Sequence, residues 1–354
     1  MKWSVTVAAK TILGIVLLVV AAPAMAQKAY TITDLGSLRG GGGRVHGLNS
    51  KGQVVGGSGF VYGSQRHAFL WQASDGMRDL GRFAGGEISE AFGINDAGVV
   101  VGTSNTGNSM AGFTWTSSGG MYMLPLLPGT TSSQSYAIDR AGDVAGRCGM
   151  HAALWTKGRV VDLGALSGAE WSEARALNDY GQVVGYSSSP EGSRAVLWSG
   201  GKMENLGVLP GDASSRANMI NDAGMVTGAS EGSRGVHAFL WSAKTGMQAL
   251  ETLEGGNYSE AFGINSSGQI VGSSGSSLGT RAVIWSKSTG VVDLNTMVEG
   301  ARPTLVLTGA FAINDKGEIV AFGIDEPELG RHQEVQEDRH IHQAGTRVFL
   351  LSPQ

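Results

Sequence analysis

The chain has 354 residues, a net charge of −4 and only 16% charged residues. It carries no basic block, which argues against a nucleic-acid partner. Its one cysteine, Cys148, rules out an intrachain disulfide framework, and its 56 glycines follow no G-x-y period, which rules out collagen.

In chain order, the first segment reads as a leader. Lys2 and Lys10 give a positive region, residues 12–21 are apolar, and Ala24-Met25-Ala26 is a small-x-small cleavage site. A signal peptide over residues 1–26 is expected, with export to the periplasm or the extracellular space. No later stretch is long and apolar enough to span a bilayer, so no transmembrane segment is expected after cleavage.

YTITDLGSL follows at residues 30–38 and reads as a lone short strand. Then one phrase returns again and again. SEAFGINDAGVVVG at residues 89–102 comes back as SEAFGINSSGQIVG at residues 259–272. Aligned on the residue after the last Ile of SEAFGI, the anchors are Asn49, Asn95, Asp139, Asn178, Asn221, Asn265 and Asn314. Three residues after every anchor stands glycine, and seven residues after it stands glycine again, except at Ala321. Asn-x-x-Gly between two short apolar runs predicts a type I turn closed by a glycine in the left-handed region. The anchors are therefore read as structural.

Each unit predicts four short strands, called a to d: SxAxGI, QVVG, HAFLW and MxDLG. Four antiparallel strands every forty-odd residues are the pattern of a propeller blade. Trp71, Trp115, Trp155, Trp198, Trp241 and Trp285 close strand c and are expected between blades. The chain starts with a strand d lacking its partners and ends with RVFLL, a strand c lacking its d. The expectation is an all-β, seven-bladed propeller over residues 27–354, closed by pairing of the N- and C-terminal strands. The GGGG at residues 40–43 is read as a flexible link. GASEG at residues 228–232 matches a nucleophile elbow, but no helix is expected to follow, so it is read as a b-to-c connection.

HAFLW, GINxxGxVVG and DLGxLxGG resemble the bacterial HAF-repeat proteins, a family of extracellular repeat proteins. The resemblance covers nearly the whole mature chain. It implies export and a repeat array, and no established reaction. The His of HAF stands at His67, His151 and His237 but is replaced by Ala111, Arg194, Arg281 and Arg347. That variation argues against a histidine function common to the repeats.

Two features are left for function. Five residues before the anchors stand Arg44, Glu90, Gln134, Glu173, Arg216, Glu260 and Gly309. If strand a is innermost, these ring the mouth of a central channel, with Trp171 and Tyr258 as neighbouring stacking faces. The candidate ligand-binding set is therefore Arg44, Glu90, Glu173, Arg216, Glu260, Trp171 and Tyr258. The second feature is a long polar insertion over residues 323–346. Its His332, His340 and His342 are the candidate metal ligands, with Glu334 and Asp338 nearby, although a segment without apolar anchors is more simply a solvated loop.

The function expected is a monomeric, non-catalytic binding or scaffold propeller for a cell-envelope or extracellular glycan or protein, with no cofactor. The alternative is a carbohydrate-active hydrolase or lyase using carboxylates at the channel mouth.

Overall fold

The computed structural model describes residues 29–38, 40–60, 66–107, 109–325 and 346–354. The expected signal peptide and the histidines of the long insertion lie outside them. So do five residues of the first b-to-c connection.

The anchor turn sets the local structure. In the first turn, Asn49 Oδ1 accepts hydrogen bonds from the backbone N–H groups of Lys51 and Gln53, both at 3.0 Å. The Gly52 N–H closes the turn on the Asn49 carbonyl at 3.1 Å. Gly52 has φ +74° and Gly98 has φ +79°, the left-handed conformation that the turn requires. The same turn joins strands a and b in every blade.

Seven antiparallel sheets result. Blade 1 consists of Gly40–Leu48, Val54–Phe60, Arg66–Gln72 and Gly76–Asp79, its strands a to d. Blades 2 to 6 repeat that order, with strands a at Ser89–Ile94, Ser133–Ile138, Ser172–Leu177, Asp212–Ile220 and Ser259–Ile264. Blade 7 takes strands a to c from Leu305–Ile313, Ile319–Asp325 and Arg347–Pro353. Its fourth strand is Tyr30–Asp34 from the other end of the chain, paired antiparallel with the C-terminal strand from Tyr30 against Pro353 to Asp34 against Phe349. The predicted closure is therefore present. A two-residue strand, Val298–Glu299, adds a parallel fifth strand outside Tyr30 and Thr31. The described residues contain no α-helix.

Two readings of the sequence are corrected. Gly40–Gly43 is the start of strand a in blade 1, not a link, because its backbone pairs with Val54–Phe60. Gly228–Gly232 lies inside strand b of blade 5, which runs past the usual length to meet an extended strand c.

The core lies between blades. All six strand-c tryptophans are at most 7% exposed, and Leu351 takes the equivalent place in blade 7. Each such side chain contributes roughly 2–3 kcal/mol by leaving water. Polar staples reinforce these seams. Ser89 Oγ accepts from the Ala68 N–H of blade 1 at 2.9 Å and donates to the Gly81 carbonyl at 2.6 Å. Ser172, Ser215 and Ser259 accept in the same way from the blades before them. A second serine column, Ser58, Ser104, Ser187, Ser230 and Ser274, pins the incoming d-to-a loops. Cys148 occupies the blade 3 place in that column, and its Sγ accepts from the Leu127 N–H at 3.2 Å.

The anchors also join blade to blade. Asn49 Nδ2 donates to the Asn95 carbonyl, and Asn95 Nδ2 to that of Asp139. Asn178, Asn221 and Asn265 continue the series, and Asn314 closes it on Asn49 at 3.0 Å. The circle of amide bonds lacks one member. Asp139 has a carboxylate in place of the amide, and a carboxylate has no N–H to offer Asn178.

Two of the strand-c histidines, His67 and His151, are structural partners of strand d. His67 Nδ1 lies 2.9 Å from Asp79 and His151 Nδ1 2.9 Å from Asp162. Arg281 faces Asp293, and Arg347 pairs with Asp34. Where Ala111 stands on strand c, the facing position is Met123, so neither half of the pair is present.

Candidate functional site at the mouth of the central channel

Strand a of each blade packs on strand a of the next around a closed circle, so these strands line the channel. Every one of them carries a β-bulge at the third residue before the anchor. A bulge leaves one residue without a cross-strand partner and re-aims it. The bulged residues are His46, Phe92, Tyr136, Arg175, Asn218, Phe262 and Phe311, and all seven are half-buried. They form a collar. Ring centroids of His46 and Phe92 are 4.8 Å apart, those of Phe92 and Tyr136 5.2 Å, and those of Phe262 and Phe311 4.6 Å in a stacked pair. Arg175 places its guanidinium 4.9 Å from the Tyr136 ring centre.

The sequence reading missed this collar. The signal was the variable position inside SxAxGI, where aromatic, basic and amide side chains stand between mostly small neighbours. The repeat pattern alone assigned that position to an ordinary strand.

The candidate residues lie one layer above, at the end where strands a begin. Glu90, Glu173 and Glu260 belong to blades 2, 4 and 6, and each joins the blade before it. Glu90 Oε1 is 2.8 Å from His46 Nε2, and its Oε2 is 2.7 Å from Arg66 and 3.9 Å from Arg44, all in blade 1. Glu173 meets Arg147 of blade 3 at 3.4 Å and its own strand's Arg175 at 2.8 Å. Glu260 Oε1 takes both Arg216 Nε at 3.0 Å and Nη2 at 2.9 Å from blade 5, while the Tyr258 hydroxyl donates to Oε2 at 3.3 Å. The Trp171 ring packs at a tilt of 54° against that of Tyr186, with centroids 5.0 Å apart, next to Glu173. The seven candidates thus occupy one end of the channel in three two-blade sectors. Blade 7 offers only Gly309 at this level. Sequence reasoning did not single out Arg66, Arg147, Arg175 or Tyr186, which complete the sectors.

The electrostatics decide which groups a ligand meets. Burial alone would raise the Glu90 pKa, but the hydrogen bond from His46 and the charges of His46, Arg66 and Arg44 outweigh it and lower the pKa to about 2. Burial lowers the Arg44 pKa to about 10, with Glu90 opposing and Arg66 adding to the shift. Burial also works against the charge on Arg175, yet Glu173 and the neighbouring phenols overcome it and hold the proton more firmly. Burial, aided by Glu173, raises the Tyr136 pKa, so that phenol stays neutral. The glutamate side chains keep only 10%, 6% and 11% of their surface exposed, against 25–37% for Arg44, Arg66, Arg147, Arg175 and Arg216. Outside the blade 5–6 sector, where Glu231 is 26% exposed beside Arg216, the surface open to a ligand is cationic and aromatic.

A cleft of about 330 Å³ opens beside this layer between blades 2 and 3, lined by Ser109, Thr131, Ser132, Gln134 and Arg147. A shallower hollow of about 460 Å³ at the blade 6 anchor turn is lined by Ser267, Gln269, Ser286 and Lys287 and lies at the other end of the strands. The candidate metal ligands His332, His340 and His342 fall outside the described residues. Among the described residues, no group of three or more metal-type ligands is present.

By sequence, the chain matches no protein-family model and no curated protein. By structure it is similar to virginiamycin B lyase from Staphylococcus aureus, with a TM-score of 0.56, 10% identity, and coverage of 91% of this chain and 98% of that one. It is also similar to the extracellular domain of a one-component system from B. thetaiotaomicron, with a TM-score of 0.51, 11% identity, and coverage of 91% of this chain and 40% of that one. At such identities the likeness is one of fold: the chain is a seven-bladed β-propeller.

Proposed function

We propose that this protein is an exported, non-catalytic binding propeller of the HAF-repeat type, taking a cell-envelope or extracellular glycan or protein at the channel mouth. The observation that carries the reading is the inversion of exposure in the mouth. Three of its carboxylates, those of Glu90, Glu173 and Glu260, are buried in ion pairs, while its guanidinium groups and aromatic rings remain accessible and Glu231 beside Arg216 is the exception at 26% exposed. Hydrolysis of a glycoside needs one carboxyl group able to deliver a proton and a second free to act on the sugar or on water. Glu90, held ionised to a pKa of about 2, is poorly suited to deliver a proton.

The test is a glycan and peptide array probed with the purified protein, run beside a screen for sugar release. Capture of one ligand class without turnover is expected. Release of product that disappears in Glu173→Gln or Glu260→Gln would instead establish the carbohydrate-active alternative.

A further inference from the structure

The three sectors of the mouth are not equivalent. In the blade 1–2 sector, Glu90 is met by two arginines and a histidine on one side, with Phe92 below. In the blade 5–6 sector, Arg216 lies between two carboxylates, Glu260 at 2.9 Å and Glu231 at 3.9 Å, so the local balance is negative. The blade 3–4 sector carries the same balance as the blade 1–2 sector, since Arg147 and Arg175 share the single carboxylate of Glu173 and leave one net positive charge; it differs in what surrounds that charge.

That charge sits among aromatic faces. The Arg175 guanidinium lies 4.9 Å from the centre of the Tyr136 ring and 5.7 Å from that of Tyr186, and the Trp171 ring packs against Tyr186. The Arg175 side chain keeps 37% of its surface exposed, the most of the five mouth arginines. Arg147 is more committed, donating to the Gly149 carbonyl at 2.9 Å and to Gln134 Oε1 at 2.7 Å. Arg147 and Gln134 also line the 330 Å³ cleft, so cleft and sector are continuous.

The rim is low here. In blade 3 only Gly149 and Met150 join strands b and c, whereas residues 188–193 do so in blade 4 and residues 275–280 in blade 6. Met150 is 56% exposed at that tip, and its carbonyl accepts the Ser172 N–H directly beside Trp171. An elongated ligand could therefore enter over blade 3 without displacing a loop.

We infer that the blade 3–4 sector is a subsite for a sugar ring bearing a single negative charge, a uronate carboxylate or a sulfate ester, with Arg175 as its anchor and Trp171 as its stacking wall. One net positive charge matches a monoanion. A guanidinium fork suits a carboxylate or sulfate held by two parallel hydrogen bonds. The indole gives the apolar face of a pyranose a flat surface to cover. Ser109, Thr131, Ser132 and Gln134 supply the hydroxyl and amide partners that further sugar rings need in the cleft. This inference rests on the binding reading above and adds to it the place and the charge of the ligand.

The test is calorimetric titration of the purified protein with three trisaccharides: trigalacturonate, its fully methyl-esterified form, and a galactose trimer whose single charge is one 6-sulfate. Either charged trimer, or both, should bind, and the ester should bind at least about tenfold more weakly. Preference between the two charged trimers tells carboxylate from sulfate. Arg175→Met should remove the preference for charge, and Arg175→Lys should restore part of it. Should Arg175→Met fail to fold, Trp171→Ala, altered at the half-buried rim, should weaken both charged trimers and leave the melting curve in place. Equal binding of acid and ester, or unchanged binding in folded Arg175→Met, overturns the inference. Array capture of a neutral glycan or peptide with no binding of either charged trimer also overturns it, while leaving the channel mouth as a binding surface. No capture of any kind defeats both.

Discussion

Two acidic residues in this propeller are shifted in opposite directions. Asp139 replaces the anchor asparagine in the circle of amide bonds, and burial raises its pKa above the ordinary 3.8. The folded state then holds that proton more tightly than the unfolded chain, so its contribution is favourable at low pH and is lost as pH rises through the folded value. Asp139→Asn should keep acceptance of the Asp143 N–H, supply the missing donor to Asn178, and remove the neutral-pH penalty. About 1 kcal/mol of added stability is expected, or a rise of about 2–4 °C in Tm, and thermal melts at pH 7 would read it. A lower Tm would show that the carboxylate has a use of its own. Glu90 is the reverse case. Its pKa is lowered from 4.5 to about 2, so its contribution is present above pH 4.5 and is lost as pH falls toward 2. That shift corresponds to about 3 kcal/mol. Urea titrations across this window should show the loss in the parent protein, and Glu90→Gln should flatten it at the cost of lower stability at pH 7.

Strands a and b are fixed by two glycines that work by different physics. Gly98 has φ +79°, and a Cβ built there meets nothing closer than 4.0 Å. Its role is conformational freedom alone. Gly98→Val should cost roughly 1–3 kcal/mol because a β-branched residue is forced into the left-handed region. Gly102 has ordinary backbone angles, but a Cβ there would stand 2.1 Å from the Glu90 carbonyl oxygen. Gly102→Ala should therefore cost about 3 kcal/mol or more, although alanine is the smaller change, because backbone must move. A Gly102→Ala melting curve matching the parent would show that strand a can shift. Both glycines recur at fixed distances from the anchor, which is why blade count, strand order and turn type were legible in the sequence. The bulge was not. It arises when strand a curves around the channel, a property of the assembled ring, and the residue it re-aims is the least uniform in the repeat. The ion pairs escaped for a similar reason. Glu90 and Arg66, or Glu173 and Arg147, meet across a blade seam, and a one-dimensional repeat does not show which faces touch. The positions of Glu90, Glu173 and Glu260 around the mouth were readable; their burial was not.

At the scale of the molecule, the sheets form a circle that needs one seam, and the chain places it in blade 7. Six blades are built from continuous sequence, so their strands pair through short connections. Blade 7 alone depends on a strand that arrives from the other terminus, Tyr30–Asp34 against Arg347–Pro353. That strand buries Tyr30 at 5% exposure, and Leu35 follows it at 4%, one packed in each of the two flanking hydrophobic clusters. Asp34 also pairs with Arg347. Two such side chains contribute about 3–6 kcal/mol by burial, apart from the backbone ladder. Removing residues 29–38 exposes the edge of the C-terminal strand and both of these clusters together, which also invites strand addition from a second molecule. The truncated protein should melt well below the parent and associate in a concentration-dependent way by light scattering. A synthetic peptide of residues 29–38 should restore the melting temperature when added in excess, because the vacated edge is specific in register and in the two pockets it offers. Tyr30→Ala in the peptide should abolish the rescue. A truncated protein that melts like the parent, or a rescue indifferent to Tyr30, would mean that the seam is held by the blade 7 to blade 1 contacts of strand a, with Asn314 bonded to Asn49, and not by the exchanged strand.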